Sequence, residues 1–349
     1  MIHRTDPAWQ VPSWQRQLAD AFTDPGELLR YLEIDQDPLP SAKSAQQEFS
    51  LRVPRWFAGR MEKGNPDDPL LRQVIPLEEE LILKKGFLLD PVSDLEQSPI
   101  PGLLHKYQGR ALLIVTGTCA VNCRYCFRRH FPYADFSTGP KRLAAALTYL
   151  EKAKDINEVI LSGGDPLMLP DNRLAELLAS LRAIPHIRRI RIHTRLPVVL
   201  PDRLTPELTG LLTATEPQSI IVLHVNHPRE LSHQHKTSLA SLRQSGVTLF
   251  NQSVLLKGVN DDTQVLCDLS EKLFSVGIIP YYLHQLDRVA GAAHFEIADK
   301  VALDLHQQLR AILPGYLVPG LVREQPGAAS KTPLQQTCLQ EAQNCLQIK

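Results

Sequence analysis

From residue 110 onward, short apolar stretches that favour strands alternate with longer stretches of helical periodicity. The predicted strands are Ala111–Thr116, Glu158–Ser162, Ile187–Thr194, Ser219–His224, Thr248–Leu255 and Ile278–Leu283. The predicted helices are Lys141–Lys154, Arg173–Ala183, Pro206–Ala214, Ser238–Ser245, Thr263–Val276 and Ala298–Ile312. Strands that alternate with helices of this length form βαβ units around a parallel sheet. Six such units are fewer than the eight of a closed barrel, so we predict an α/β fold with a partial, TIM-like (β/α)6 barrel.

The rest of the chain flanks this unit on both sides. Residues 1–105 combine short polar helical stretches with frequent Pro and Gly, which indicates a helical and irregular lead-in. We therefore divide the chain into a lead-in over 1–105, the partial barrel over 106–315 and a short C-terminal segment over 316–349.

Composition excludes some classes of function. Lys plus Arg total 38 and Asp plus Glu total 38, so the chain has no net charge with which to grip nucleic acid along its length. No apolar run approaches the roughly 20 residues of a membrane-spanning helix. Residues 1–20 lack the segments of a signal peptide. We expect a cytoplasmic protein that binds neither nucleic acid nor membrane.

Chemically versatile residues fall where the predicted strands end. Cys119 follows the first strand, Gly163–Pro166 follows the second, and His193–Arg195 closes the third. His224 closes the fourth strand, and Asp287 follows the sixth. Because parallel α/β folds place their active sites at the carboxyl ends of the strands, we expect these side chains to surround one site.

Three of the six cysteines, Cys119, Cys123 and Cys126, have the spacing C-x3-C-x2-C. Thiolate sulfur is a soft ligand that suits iron–sulfur clusters and zinc. Three cysteines would leave one iron of a four-iron cluster open, whereas ferredoxins use a fourth thiolate. Two alternatives remain: the cysteines form the buried stripe of a helix, or they bind structural zinc with His130 as the fourth ligand.

With Tyr125 directly before the last cysteine, this motif resembles that of the radical S-adenosylmethionine enzymes. The resemblance implies a [4Fe–4S] cluster whose open iron binds S-adenosyl-L-methionine, on a partial (β/α)6 barrel. Ser162, Gly163, Gly164 and Asp165 resemble the family's S-adenosylmethionine loop, in which glycines permit close approach to a ligand. Asp165 could accept from the cofactor's ammonium; taken alone, the sequence is an ordinary turn.

Further motifs resemble the lysine 2,3-aminomutases, from about Val53 to Leu334. They are Arg128-Arg129, Arg195–Pro201, His224–Pro228, Asn251–Asp261 and Gly291–Phe295. The resemblance implies an isomerase, an intramolecular aminotransferase that converts L-α-lysine to (R)-β-lysine. It also implies pyridoxal 5′-phosphate bound through Lys331, which follows a run of small residues, and contacted by Arg110. The alternatives are a solvated lysine and a surface arginine.

The same resemblance assigns the substrate contacts. Arg128 matches the family residue that binds the substrate carboxylate, for which a bidentate guanidinium is suited. Asp287 and Glu324 match the two acidic residues that hold the ε-ammonium group. The family commonly has Asp at the second position, so Glu324 is a departure that lengthens the side chain by one methylene. Taken singly, each of these charges would be interpreted as a solvated surface group.

Residues 60–74, 101–107 and 123–133 resemble a short bacterial branch that supplies β-lysine for modification of elongation factor P. This implies a functional link to that factor and to its lysyl-transferring ligase, and an external electron donor. Longer members of the family carry a C-terminal zinc-binding segment that is largely missing here. Two other functions remain open: a radical aminomutase for another amino acid, and a zinc-binding accessory protein without catalysis. Three thiols stay unassigned: Cys267, Cys338 and Cys345.

Overall fold

The computed structural model describes residues 13–35, 43–136, 139–213 and 216–335. Cys338, Cys345 and the predicted helix end at Ala214 lie outside these residues. The helices are α1 Trp14–Ala19, α2 Pro25–Tyr31, α3 Lys43–Glu48, α4 Arg55–Ala58, α5 Pro69–Arg72, α6 Tyr133–Phe136, α7 Pro140–Lys152, α8 Asp171–Arg182, α9 Leu196–Val199, α10 Pro206–Leu212, α11 His233–Gln244, α12 Thr263–Ser275 and α13 Asp299–Ile312.

One nine-stranded sheet organises the described residues, and its strands follow each other in chain order. The strands are β1 Leu103–Tyr107, β2 Arg110–Thr116, β3 Glu158–Gly163, β4 Arg189–Thr194, β5 Gln218–His224, β6 Thr248–Val254, β7 Ile279–His284, β8 Gly320–Arg323 and β9 Thr332–Pro333. Strands β2 to β8 pair in parallel. Strands β1 and β9 pair antiparallel with β2 and β8.

The six predicted strands correspond to β2 to β7, and the six predicted helices correspond to α7, α8 and α10 to α13. The predicted partial barrel is therefore confirmed. Strands β1, β8 and β9 were not predicted: β8 has four residues and β9 has two, which is too short for a periodic pattern. The proposed division at 105/106 falls inside β1, and β8 and β9 join segment 316–349 to the barrel's sheet.

Strand β4 shows how the sheet separates core from site. Ile190 and Ile192 are fully buried and belong to the core under the helices, whereas Arg191 and His193 alternate with them. Successive side chains of a strand point to opposite faces, so Arg191 and His193 face the barrel interior. Burial of each isoleucine contributes about 1.5–3 kcal/mol. The hydrophobic face thus fixes which polar residues line the interior.

The helices begin at sequence-encoded caps. The side chain of Thr205 accepts from the backbone N–H of Leu208, with a proline in the first turn of α10. The side chain of Asp262 accepts from the backbone N–H of Val265 at the start of α12. Such caps are worth about 1 kcal/mol each. They therefore help to fix where each helix leaves the preceding strand.

Strands β1 and β8, near opposite edges of the sheet, approach each other through side chains. Tyr107, at the end of β1, donates a hydrogen bond from its hydroxyl to the carboxylate of Glu324, directly after β8. The curved sheet thereby surrounds an interior. Among the residues that the structure describes, no helix is both long enough and apolar enough to cross a membrane.

Candidate active site

The cysteine loop follows β2 and is stiffened by backbone hydrogen bonds. The N–H of Cys126 donates to the carbonyl of Cys123 at 3.0 Å. Burial and then the thiol of Cys126 raise the pKa of Cys119, and burial and then the thiol of Cys123 raise the pKa of Cys126 to about 11. The three thiols are only partly buried. They interact with one another and therefore share one site, and a metal that binds there has to displace their protons.

This donor set fits an iron–sulfur cluster. No three His, Cys, Asp or Glu side chains in the described parts of the chain are placed to hold a single metal ion. Three thiolates are soft ligands of the kind that such a cluster takes, and they would leave its fourth iron open. The ring nitrogen Nε2 of His130 already lies 3.0 Å from the carbonyl of Ala290. One ring nitrogen of the residue expected as the fourth zinc ligand is therefore already engaged by the backbone.

The lead-in holds the cysteine loop in place. Glu80, in the turn Glu78–Leu81, binds Arg124 at 2.6 Å and Arg129 at 2.7 Å, and all three side chains are fully buried. Arg124 also donates to the carbonyls of Phe49 and Ala45. A buried carboxylate is tolerated only with such partners, because desolvation of a charge costs several kcal/mol. The sequence did not reveal Glu80, since it ends an acidic run that is typical of a solvated surface.

The turn after β3 packs against the loop that precedes the cysteines. A Cβ atom on Gly163 would lie 2.5 Å from the carbonyl oxygen of Thr116, and one on Gly164 would lie 2.5 Å from that of Thr118. Gly163 also has a φ of +114°. These glycines therefore permit close approach of the protein's own backbone. Whether they also bind S-adenosylmethionine stays a prediction.

Asp165 anchors the same turn. Its carboxylate accepts from the hydroxyl of Thr194 and from the backbone N–H groups of Leu167, Arg195 and Leu196, at 2.7–3.0 Å. Burial nevertheless raises the pKa of Asp165. A carboxylate has about four lone-pair sites, so protein donors occupy them all. The predicted contact with the cofactor's ammonium is not tested by this geometry.

Arg128 and Ser162 are brought together. The guanidinium of Arg128 donates to the Ser162 hydroxyl at 3.2 Å and to Asp94 at 2.7 Å, and Lys106 binds the same carboxylate at 2.6 Å. Burial acts to raise the pKa of Asp94, but Arg128 and Lys106 outweigh it and lower that pKa. The arginine therefore lies beside the cysteine loop and is held by one carboxylate.

Lys331 and Glu324 form an ion pair of 2.8 Å. Burial acts to raise the pKa of Glu324, but the Lys331 ammonium outweighs it and lowers that pKa. The Lys331 Nζ also lies 6.0 Å from the centre of the Tyr282 ring, on β7. Strand β9, which begins at the next residue, places the amine here by pairing with β8.

Asp287 is the second predicted acidic residue and lies near this pair. Burial raises its pKa to about 7, with an opposing effect of Lys331 and a further upward effect of Glu324. The structure thus brings Lys331, Glu324 and Asp287 into one electrostatic group. Asp94 also raises the pKa of Asp287, which connects this group to Arg128.

The imidazoles of His193, His224 and His284 interact electrostatically with one another, and those of His193 and His284 also with Lys331. Burial and then the Lys331 ammonium hold the pKa of His284 well below its usual value, and burial lowers the pKa of His224 to about 3. The Nε2 atom of His193 is buried without a protein partner. A neutral imidazole with an unsatisfied nitrogen beside a primary amine fits a polar cofactor such as pyridoxal phosphate. Next to Lys331, residues 325–330, 332 and 333 line an open cavity of about 490 Å³.

Arg110 lies apart from the cysteines. It begins β2, and Thr116 ends that strand; six residues of strand span about 20 Å. Its guanidinium lies 4.5 Å from the centre of the Tyr107 ring, so it adjoins the Glu324 side of the interior. Cys267 packs in an apolar cluster with residues of α12 and α13, and the structure gives it no contact with the other assigned residues that would define a role.

Sequence comparisons with known proteins show which proteins this chain resembles. A model of the Radical SAM superfamily matches residues 113–269. The L-lysine 2,3-aminomutase of Escherichia coli (strain K12) is 51% identical over 322 residues, 92% of this chain and 94% of that protein. That of Haemophilus influenzae is 48% identical over 92% of this chain and 95% of its own length. The Clostridium subterminale L-lysine 2,3-aminomutase is 34% identical over 331 residues, which are 95% of this chain and 79% of that protein. The similarity therefore extends well beyond the superfamily's common region.

Proposed function

The chain belongs to the lysine 2,3-aminomutase family of radical S-adenosylmethionine enzymes, and we propose that it converts L-α-lysine to β-lysine. It is then an isomerase that moves the amino group from C2 to C3. The observation that supports this most is the electrostatic grouping of Lys331, Glu324 and Asp287, which Asp94 connects to Arg128, two residues after the last of the three cysteines.

The cofactors divide the chemistry. A [4Fe–4S] cluster with S-adenosylmethionine supplies a carbon radical, and pyridoxal phosphate supplies the conjugated group that holds the migrating nitrogen. We assign the cluster to Cys119, Cys123 and Cys126, and pyridoxal phosphate to Lys331 with Arg110. Residues 162–165 are assigned to S-adenosylmethionine. The protein orients the substrate and excludes water from it.

The substrate contacts follow from charge. Glu324 already binds a primary alkyl-ammonium group, that of Lys331, at 2.8 Å. When Lys331 engages the cofactor, this carboxylate becomes free for a group of the same chemistry, the ε-ammonium of lysine. Asp287 is the second ligand for that group, and Arg128 binds the carboxylate. Two carboxylates at the distal end disfavour glutamate, whose side chain is negative.

We further propose that the product is (R)-β-lysine and that it serves the modification of elongation factor P by a lysyl-transferring ligase. The support is the resemblance of residues 60–74, 101–107 and 123–133 to the branch with that role. An external one-electron donor is required to reduce the cluster.

The test is anaerobic incubation of the purified chain with S-adenosylmethionine, pyridoxal phosphate, a chemical reductant and lysine, followed by chromatography for β-lysine. Iron and acid-labile sulfide analysis of the same protein should give about one sulfide per iron, since the cubane contains equal numbers of each. Zinc without sulfide would instead support the accessory protein. Conversion of arginine or glutamate, but not lysine, would support an aminomutase of different specificity.

Lys331→Ala supplies the matched variant. It should retain iron and sulfide but lose both bound pyridoxal phosphate, measured by its visible absorbance, and β-lysine formation. Lys300→Ala, on the exposed surface of α13, is the control and should behave as wild type. Full activity of Lys331→Ala would overturn the role given to that lysine.

A further inference from the structure

A buried arginine contacts one of the three cysteines directly. The Nη1 atom of Arg195 lies 2.7 Å from the Sγ of Cys123 and 2.7 Å from the hydroxyl of Tyr125. Its Nη2 atom binds Gln73 at 2.6 Å and Glu230 at 2.9 Å. The arginine side chain is 6% exposed and the Glu230 side chain is fully buried. A cationic donor is therefore fixed against a cluster ligand, away from water.

Glu230 does not depend on this arginine for its position. Its carboxylate also accepts from the backbone N–H groups of Asn226 at 2.9 Å and His227 at 3.0 Å. The side chain of Gln73 donates to it as well, at 3.3 Å. The ion pair thus combines a carboxylate anchored by the turn after β5 with a guanidinium whose other nitrogen faces sulfur. A purely structural ion pair would not need that second contact.

The backbone of Arg195 is held just as firmly. Its N–H donates to Asp165 at 2.8 Å, and it lies between the end of β4 at Thr194 and the start of α9 at Leu196. The guanidinium also lies 5.5 Å from the centre of the Phe57 ring. The side chain is therefore restrained from both ends, and it cannot move away from Cys123 without the loss of several buried contacts.

A hydrogen bond to a cluster sulfur and a nearby positive charge both stabilise the state with the additional electron. Burial enlarges the effect, because charges interact more strongly where water is excluded. From this geometry, and resting on the proposed function, we propose that the Arg195–Glu230 pair sets the reduction potential of the cluster through Cys123. Arg195 raises the potential and Glu230 moderates it. Arg195 is a positioning and tuning residue that acts through the thiolate, not a catalytic residue.

We expect substitutions of Arg195 and Glu230 to shift the midpoint potential of the cluster in opposite directions. Arg195→Gln removes the positive charge, so the cluster should become about tenfold harder to reduce, which corresponds to a midpoint potential about 59 mV more negative for one electron. Glu230→Gln keeps oxygen acceptors for the two backbone donors but removes the negative charge, so its midpoint should shift in the positive direction. Arg195→Lys keeps the charge and should restore most of the wild-type potential.

The measurement is a redox titration of the reconstituted full-length enzyme, followed by electron paramagnetic resonance of the reduced cluster. This signal comes only from molecules that hold a cluster, so partial loading does not prevent the reading. Arg203→Gln is the control: Arg203 is also fully buried, and it pairs with Asp171 and with the carbonyls of Leu167 and Leu169. It should lower stability and leave the midpoint unchanged.

Shifts of the same sign in Arg195→Gln and Glu230→Gln would overturn the proposal, as would midpoints that lie within about 18 mV of wild type in both, which is a twofold change in the equilibrium constant for reduction. If Arg195→Gln holds no cluster, Glu230→Gln decides: a midpoint that fails to move in the positive direction while Arg195→Lys stays near wild type would overturn the proposal. A wild-type protein without iron and sulfide would end the proposed function as well. A wild-type protein with normal β-lysine formation but unshifted variants would end only this inference.

Discussion

The carboxylate of Asp287 has the charge change most relevant to substrate binding. Its pKa, raised by burial to about 7, means that it is ionised above neutral pH and neutral below. Only the ionised form attracts an ammonium group. We therefore expect the KM for lysine to rise as the pH falls through about 7, whereas an ordinary surface Asp would remain ionised there.

Asp287→Asn should raise the KM about tenfold to a hundredfold at high pH, since it removes one charge-assisted contact. It should also abolish the rise of KM on the acidic side. Asp304→Asn, on an exposed position of α13, is the control. Steady-state kinetics across neutral pH measure both effects. If the KM of Asp287→Asn still rises as the pH falls, a group other than Asp287 causes the pH dependence.

The functional roles of residues that stand in an unusual sequence pattern could be predicted from the sequence. The three cysteines stood out because such spacing rarely occurs by chance, and Lys331 stood out by its run of small residues. Asp94 and Glu80 could not be predicted, because acidic residues in polar loops are typical of solvent exposure. Their burial depends on arginines that lie 34 and 44 residues away.

At the scale of elements, contact with the backbone of the preceding loop leaves no room for a larger residue than glycine in the turn after β3. Gly163→Ala would bring a Cβ to 2.5 Å from the Thr116 carbonyl at a φ of +114°. We expect a loss of about 3 kcal/mol in the free energy of unfolding, from steric overlap and backbone strain. Urea denaturation of the cofactor-free protein measures it.

Gly210→Ala is the matched control for this substitution. Gly210 lies inside α10, and a Cβ there would meet no atom within 4 Å. Alanine should therefore stabilise the protein by about 0.5–1 kcal/mol. If both variants unfold at the same urea concentration, close packing of the turn does not exclude a side chain at Gly163.

At the scale of the whole molecule, the lead-in and the barrel are joined through charge. Glu80→Gln would leave Arg124 and Arg129 buried without their carboxylate, which costs about 3–5 kcal/mol. We expect a lower thermal midpoint and less iron per chain after reconstitution, because the cysteine loop loses its anchor.

The control for Glu80 is Glu296→Gln. Glu296 pairs with the half-exposed Lys84 and the exposed Arg288, and a pair of this kind contributes about 1 kcal/mol or less. Its iron content should equal that of wild type. Equal unfolding temperatures for the two variants would show that the buried network does not hold the loop.

The sequence by itself determined the succession of strands and helices, the cysteine motif and the lysine near the end of the chain. These features are encoded locally, in periodicity and in the spacing of a few residues. Only the tertiary structure decided that Glu324 meets Lys331 and Tyr107, that Glu80 holds the cysteine loop, and that Arg195 reaches Cys123. Those contacts join residues 7 to 217 positions apart, and a contact between distant residues exists only once the sheet has curved around its interior.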